Sequence, residues 1–323
     1  MLVVKKFFVL SLALIVTAVF GFQIVLKATT PFQEGHILAE AMKQFKEKIE
    51  TETKKAIVVE LQIGVVSEEE ANNQCAKGIV DLQFTGGRPV EVFAPEYFFV
   101  NAPFVIKDYE HFLRVWNGPI GEKAKALIAE KGNMVCLGTV YRGYRQMTAN
   151  KPIYSPSDIK DLKLRLPVVP TWVKIWEAIG AKAVPVPLTE LYQALKEGRA
   201  EASEGDVTQI SSFKLYEVQT YLIITNHQCG IGWITMNKTA YERLTPEERQ
   251  LVHKIMDEVC TWATEKLRAS EGDIIKFLQD KGMKVIKLEE AALKAIRELA
   301  APAVEELFKT TWPVTTWAEV LAQ

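Results

Sequence analysis

The sequence has few cysteines, no excess charge of either sign, and no long apolar run beyond its first 28 residues. Thirty-nine Lys and Arg stand against 40 Asp and Glu, a net charge of −1 over 323 residues. That balance excludes a polybasic nucleic-acid binder. With 48 % hydrophobic and 24 % charged residues the chain is an ordinary globular protein, neither disordered nor fibrous. Four cysteines (75, 136, 229 and 260) are scattered without a C-x-x-C. They are too few for a disulfide-built scaffold and read as buried free thiols or as pairs of unassigned connectivity. The four histidines (36, 111, 227 and 253) are not at metal-ligand spacing, so no metal is expected. No G-x-S-x-G, H-E-x-x-H or phosphate-binding loop occurs, and Gly230-Ile-Gly232 lacks the third glycine of a dinucleotide fingerprint. His227 and Cys229 have no orienting third group, so they read as structural. The chain is therefore not expected to be an enzyme or to carry a cofactor.

What is present begins with an export signal over residues 1–21. Lys5 and Lys6 precede an uncharged stretch from Phe7 to Phe20, and Val19 and Gly21 supply small residues before a cut. The stretch is short of the about 20 residues of a membrane span. Retention as an uncleaved anchor is the alternative. No cysteine lies in residues 1–74, so a lipid-anchored start is excluded and a periplasmic location is expected.

Periodicity then gives alternating strands and helices. Phe22 to Ala28 reads as a strand, residues 37–49 carry apolar side chains at helical spacing, and Ile57 to Ile63 alternate with period two. Ser67 with Glu70 forms a capping box, and Val80, Leu82 and Phe84 alternate until Gly86-Gly87. The pattern restarts with strands at Met134–Val140, Lys163–Leu166, Tyr221–Thr225 and Ile231–Met236. Thr245-Pro-Glu-Glu248 opens a helix that runs to about Lys281, long enough to cross two lobes. The expected architecture is α/β: two lobes in a clamshell, built on mostly parallel sheets, with a long helix spanning both. Lobe I is assigned to residues 22–142 plus 231–270, and lobe II to residues 143–230 plus 271–323.

Arg165 is the most informative single residue. It sits in Leu164-Arg-Leu166 just before Pro167, at the carboxyl end of an apolar strand. A guanidinium buried there needs an acceptor. Either it grips a ligand carboxylate with two parallel hydrogen bonds, or it pairs internally with Glu201 or Glu204. Arg145, in Tyr144-Arg-Gln-Met-Thr148, reads as a second ligand contact, a hinge contact or a plain surface arginine.

These segments resemble a known family. Tyr144-Arg-Gln-Met-Thr-Ala-Asn-Lys-Pro152 and Asp158-Ile-Lys-Asp-Leu-Lys-Leu-Arg-Leu-Pro167 are similar to the central block of TRAP transporter solute-binding proteins of the DctP type. Ile179-Gly-Ala181, Glu190-Leu-Tyr-Gln-Ala-Leu-Lys-Glu-Gly198, Tyr216-Glu-Val218, Thr225-Asn-His227, Ala28-Thr-Thr30 and Gly78-Ile-Val-Asp81 continue the likeness in one register. The resemblance implies capture of a small organic acid for a secondary transporter with one small and one large membrane subunit. The same fold feeding a periplasmic sensor is the alternative. The resemblance also implies that Arg165 grips the carboxylate and that Arg145 shares the cleft. It nominates Thr30, Phe32, Glu68, Thr85 and Gly86 for the facing wall. The chain departs from the family at Gly205, where a bulky or polar side chain usually stands. With Phe32, Trp172 and Trp233 as neighbours to fill that space, a monocarboxylate with an apolar or aromatic body is expected over a polyhydroxylated sugar acid.

Overall fold

Residues 23–323 are described by a computed structural model of the chain; the expected export signal over residues 1–21 lies outside the described residues. Nine strands form: β1 (Ile24–Thr30), β2 (Ile57–Ile63), β3 (Leu82–Thr85), β4 (Met134–Ala149), β5 (Lys163–Leu166), β6 (Lys182–Pro185), β7 (Ala202–Asp206), β8 (Tyr221–Asn237) and β9 (Lys284–Lys287). They join one sheet in the order β2-β1-β3-β8-β4-β7-β5-β6, with β9 on β8. In each wing the strands are parallel: β1 with β2 and β3, and β5 with β6 and β7. The middle is antiparallel, β3 to β8, β8 to β4 and β4 to β7. The sheet is mixed: most pairings are parallel, as expected, and the antiparallel ones are those of the crossing strands. Strands that cross between wings and return must run against each other.

Those crossing strands are longer than the sequence pattern indicates. The two expected strands at residues 221–225 and 231–236 are one, β8, and the strand expected to end at Val140 continues to Ala149. Residues 226–230 break the apolar alternation, yet they stay in the ladder because β4 pairs with them, Tyr144 with Cys229 and Arg145 with Gln228. Register shifts at Tyr141/Tyr144 and Arg145/Met147 absorb the irregularity. Gln146 completes it: its Oε1 accepts from the backbone N–H groups of Thr225 and Asn226 at 2.9 and 3.0 Å. At the crossing Gly143 has φ +87°, and a Cβ on Gly230 would lie 2.5 Å from the Gly143 carbonyl oxygen. Only glycine fits both demands.

The 35-residue helix Pro246–Asp280 starts at Thr245 with a complete capping box. It is about 50 Å long, passes Gly272 unbroken, and packs on β4, on helix Ile37–Glu52 of the first wing and on helix Val207–Ser212 of the second. Residues 271–323 touch both wings. Helix Glu290–Thr310 packs on helix Pro170–Ile179, but Phe308 and Trp312 then meet Phe99, and the His111 ring lies 2.7 Å from the Val320 carbonyl oxygen. Burying those apolar residues closes the chain's end against the first wing. All four cysteines are free. Burial pushes the thiols of Cys75, Cys136 and Cys260 up to about 12, so they are inert as nucleophiles. Among the described residues no helix is long and apolar enough to cross a membrane.

Candidate functional site

The carboxyl ends of the parallel strands in the two wings face one narrow cavity, of about 40 Å³. Phe32 follows β1, while Gly86, Arg88 and Glu91 follow β3, and Glu68 opens a helix on the same wall. From the other wing come Arg165, Pro167 and Trp172, with Gln209 beyond β7. Arg142 and Arg145 of β4 form the floor between them, beside Gly230 and Ile231 of β8.

Four arginines line this space, and three of them, Arg142, Arg145 and Arg165, are at most 5 % exposed. Two of these three are already paired. Arg145 donates to both carboxylate oxygens of Glu204, from Nε at 2.5 Å and from Nη2 at 2.7 Å. Arg142 Nη2 donates to Asp206 at 2.8 Å. Each carboxylate also has a histidine behind it. His227 places Nε2 3.2 Å from Glu204 and Nδ1 2.8 Å from the Thr225 hydroxyl. Burial lowers its pKa, so the ring is neutral at pH 7; Nε2–H donates to the carboxylate and Nδ1 accepts from the hydroxyl. His36 accepts the Leu38 N–H through Nδ1, which leaves Nε2 3.6 Å from Asp206; burial lowers this ring to about 4. Despite their own burial, the carboxyl groups stay ionised. The Arg145 charge and the His227 bond hold Glu204 at about 2, and Arg142 and His36 hold Asp206 well below the usual range.

Arg165 is different. Neither Glu201 nor Glu204 forms an ion pair with it; the Glu204 carboxylate is taken by Arg145 and His227, and Glu201 accepts from the Lys163 N–H. Its Nε and Nη2 donate instead to the Val186 carbonyl oxygen at 2.9 and 2.6 Å. Burial lowers its pKa to about 10, which still leaves it charged at neutral pH. A cation held by a neutral carbonyl at a cavity wall is placed for an anion.

The other wall carries lesser features. The Phe32 ring stacks on His36 at 3.9 Å, and the Arg142 guanidinium lies 4.3 Å from its centre. Trp172 lies 5.1 Å from the Arg145 guanidinium. Glu68 accepts the Gly86 N–H at 2.6 Å. Glu91 pairs with Arg88 at 2.8 Å, yet burial raises its carboxyl to about 7.

Of the residues singled out from sequence, Arg165, Arg145, Phe32, Glu68, Gly86 and Trp172 line the cavity. Thr30, Thr85, Gly205 and Trp233 do not. The Thr30 hydroxyl donates to the Phe84 carbonyl oxygen, and the Thr85 hydroxyl to that of Gly86, so both brace the strand ends. Trp233 is wholly buried, edge-on to Phe112 and Trp116 in the first wing's core. Over Gly205 lies not an aromatic ring but the Gln209 amide. Sequence reasoning missed Arg142, Arg88, Glu91 and Gln209; only the bulged pairing of β4 puts Arg142 and Arg145 on one floor. Among the described residues no group of three or more His, Cys, Asp or Glu could hold a metal.

Comparison with known proteins fits this geometry. Residues 28–311 match the family model for bacterial extracellular solute-binding proteins, family 7, DctP. A solute-binding protein of Roseobacter denitrificans is 28 % identical over 307 residues, covering 92 % of this chain and 94 % of its own. The sialic acid-binding periplasmic protein of Vibrio cholerae is 24 % identical, covering 85 % and 83 %. A crystal structure of a Roseobacter denitrificans TRAP periplasmic solute-binding protein with bound L-galactonate superposes with a TM-score of 0.83 at 27 % identity, over 93 % of this chain and 99 % of that one. The match of residues 28–311 to the family model, on a fold shared with a solved TRAP solute-binding protein, places the chain in the DctP family of TRAP transporter solute-binding proteins, a substrate-binding component of transport.

Proposed function

We propose that this protein captures a small monocarboxylate in the periplasm, holds the carboxylate on Arg165, and delivers it to the small and large membrane subunits of a TRAP transporter. One observation carries the reading: of three buried arginines in the cavity, Arg142 and Arg145 are neutralised by Asp206 and Glu204, while Arg165 has only a carbonyl oxygen. A buried guanidinium without an ion-pair partner calls for a carboxylate. The expectation of an apolar or aromatic body loses two supports, because Trp233 lies in the core and Gln209 occupies the space above Gly205. Phe32 and Trp172 remain as apolar surfaces, beside the polar Gln209, Asn101 and Arg88. The ligand proposed is therefore a monocarboxylate with a hydroxylated or oxo-substituted chain. The Roseobacter relative with bound L-galactonate supports that class.

Capture by closure of two lobes follows from the same geometry. The proposed lobes are residues 22–142 plus 231–270, joined by the end of the chain that packs on Phe99 and His111, and residues 143–230 plus 271 to about 307. They meet at the crossing strands, where Gly143 and Gly230 lie. Across the cleft a long contact of 3.5 Å joins the Arg88 guanidinium to the Val168 carbonyl oxygen, while beside the crossing strands Arg142 and His36 of one lobe meet Asp206 of the other. The test is calorimetry of the wild type and Arg165→Lys against L-galactonate, D-galacturonate, hexanoate and succinate. Binding of at least one acid that the variant weakens strongly supports the reading. No binding by the wild type, or equal affinity in the variant, overturns it.

A further inference from the structure

Gln209 lines the cavity and is 2 % exposed, yet its side-chain nitrogen has no hydrogen-bond partner among the described residues. Buried amide groups are ordinarily paired, so one left unpaired at a cavity wall has a donor free for a ligand. Its position is set locally. Asp206 caps the helix Val207–Ser212, its Oδ1 accepting from the Gln209 backbone N–H at 2.9 Å and from the Thr208 hydroxyl at 2.5 Å. Asp206 is in turn held by Arg142. From that fixed backbone the side chain lies back over Gly205. A Cβ on residue 205 would stand 2.5 Å from Gln209 Nε2 and 2.9 Å from Cδ, closer than such contacts allow. Gly205 lies in regular strand pairing opposite Gln146 and is not among the glycines with positive φ. Its backbone does not demand glycine; the amide above it does.

From this arrangement, and resting on the organic-acid reading, we propose that Gln209 reads a second oxygen of the ligand, and that Gly205 is there to make room for it. That oxygen is a hydroxyl or carbonyl on the carbon chain, away from the carboxylate held by Arg165. A half-turn of the amide presents either its N–H or its oxygen to the cavity, so Gln209 serves a hydroxyl in either role. The Trp172 indole N–H, also unpartnered and in the same cavity, is a further donor for such a ligand. The class selected is a hydroxy or oxo monocarboxylate, against an unsubstituted acid of the same length.

Two substitutions remove the amide from the cavity by different routes. Gln209→Met keeps length and volume but has no amide. Gly205→Ala leaves the amide intact and displaces it. Calorimetry is run with L-galactonate, D-galacturonate, hexanoate and succinate on the wild type, both single variants, the double variant and Arg165→Lys. Melting of each ligand-free variant checks the fold. Each single variant is expected to weaken the best hydroxylated acid about tenfold, and the double variant no further than the weaker single one, because both act on one group. The wild-type preference for that acid over hexanoate shrinks by the same factor. Either single change leaving affinity within about threefold, or the two effects adding, overturns the proposal. If Gly205→Ala fails to fold, Gln209→Met alone decides. Loss of binding in Arg165→Lys without loss in Gln209→Met overturns the role of Gln209 and leaves the carboxylate anchor standing. A wild type that binds none of the four acids overturns both.

Discussion

Arg145 and Glu204 form two parallel hydrogen bonds, 2.5 and 2.7 Å long, between the adjacent strands β4 and β7, with both side chains shut off from solvent. The pair fixes an arginine that the sequence presents as a second ligand contact. Its charge is spent inside the protein. Arg145 then offers the cavity the edge of a neutralised pair, with Trp172 against it.

Removing one partner leaves the other charged and buried. Arg145→Met is expected to lower unfolding free energy by about 3–5 kcal/mol, since Glu204 then has no compensating cation. Arg145→Met with Glu204→Gln should recover much of that loss. Urea denaturation at pH 7.5 measures both.

For Arg165 the expected balance is the reverse. Arg165→Lys keeps a charge but loses the planar fork that meets Val186 and a carboxylate together. Ligand binding should weaken by about 1.5–3 kcal/mol while the fold survives, read by calorimetry and circular dichroism.

Acid should destabilise the protein in two stages. His36 is held at about 4 and His227 below its ordinary value, both by burial. Their neutral forms favour the fold fully above about pH 6.5, and that contribution is lost as pH falls toward the folded-state values. Glu91, raised to about 7 by burial, acts in the opposite sense over part of this window. Glu204 and Asp206, both depressed, contribute stability above about pH 4 that is lost as they protonate below it. Urea midpoints should therefore decline modestly from pH 6.5 and steeply below pH 4. His36→Gln should flatten the first stage; an unchanged slope would remove His36 from the account.

Trp233 separates core from site. Trp233→Ala should cost about 3–5 kcal/mol, because it empties a cluster shared with Phe112 and Trp116. Affinity of the folded variant for its acid should stay within about twofold. A large loss of affinity at full stability would put Trp233 back at the cleft.

Elements with strong local signals are legible in the chain itself. The capping box at Thr245 marks the long helix to the residue, and Lys163–Leu166 is the strand the alternation indicates. The lengths of β4 and β8 are not legible, because residues 226–230 follow the pattern of a loop, Asn226 with φ +44°, and are held in one strand only through the pairing of Gln228 and Cys229 with a strand some 80 residues away. Aromatic residues are the weakest guide. Phe32 faces the cavity and Trp233 the core, and nothing in their neighbours along the chain distinguishes them.

The sequence by itself determined the wings, the long helix and the identity of the arginine at the end of β5, since these depend on periodicity, caps and one charged residue among apolar ones. Which arginine stays free for a ligand was decided by tertiary structure alone. Glu204 and Asp206 reach Arg145 and Arg142 only through the β4–β7 ladder and its bulges, and the Arg165 guanidinium meets Val186 only because β5 and β6 lie side by side. The same holds for Gln209, whose amide lies in the space of a side chain absent four residues earlier. Charge compensation over a few ångströms is a property of the folded neighbourhood, and residues that neutralise one another there are scattered along the chain.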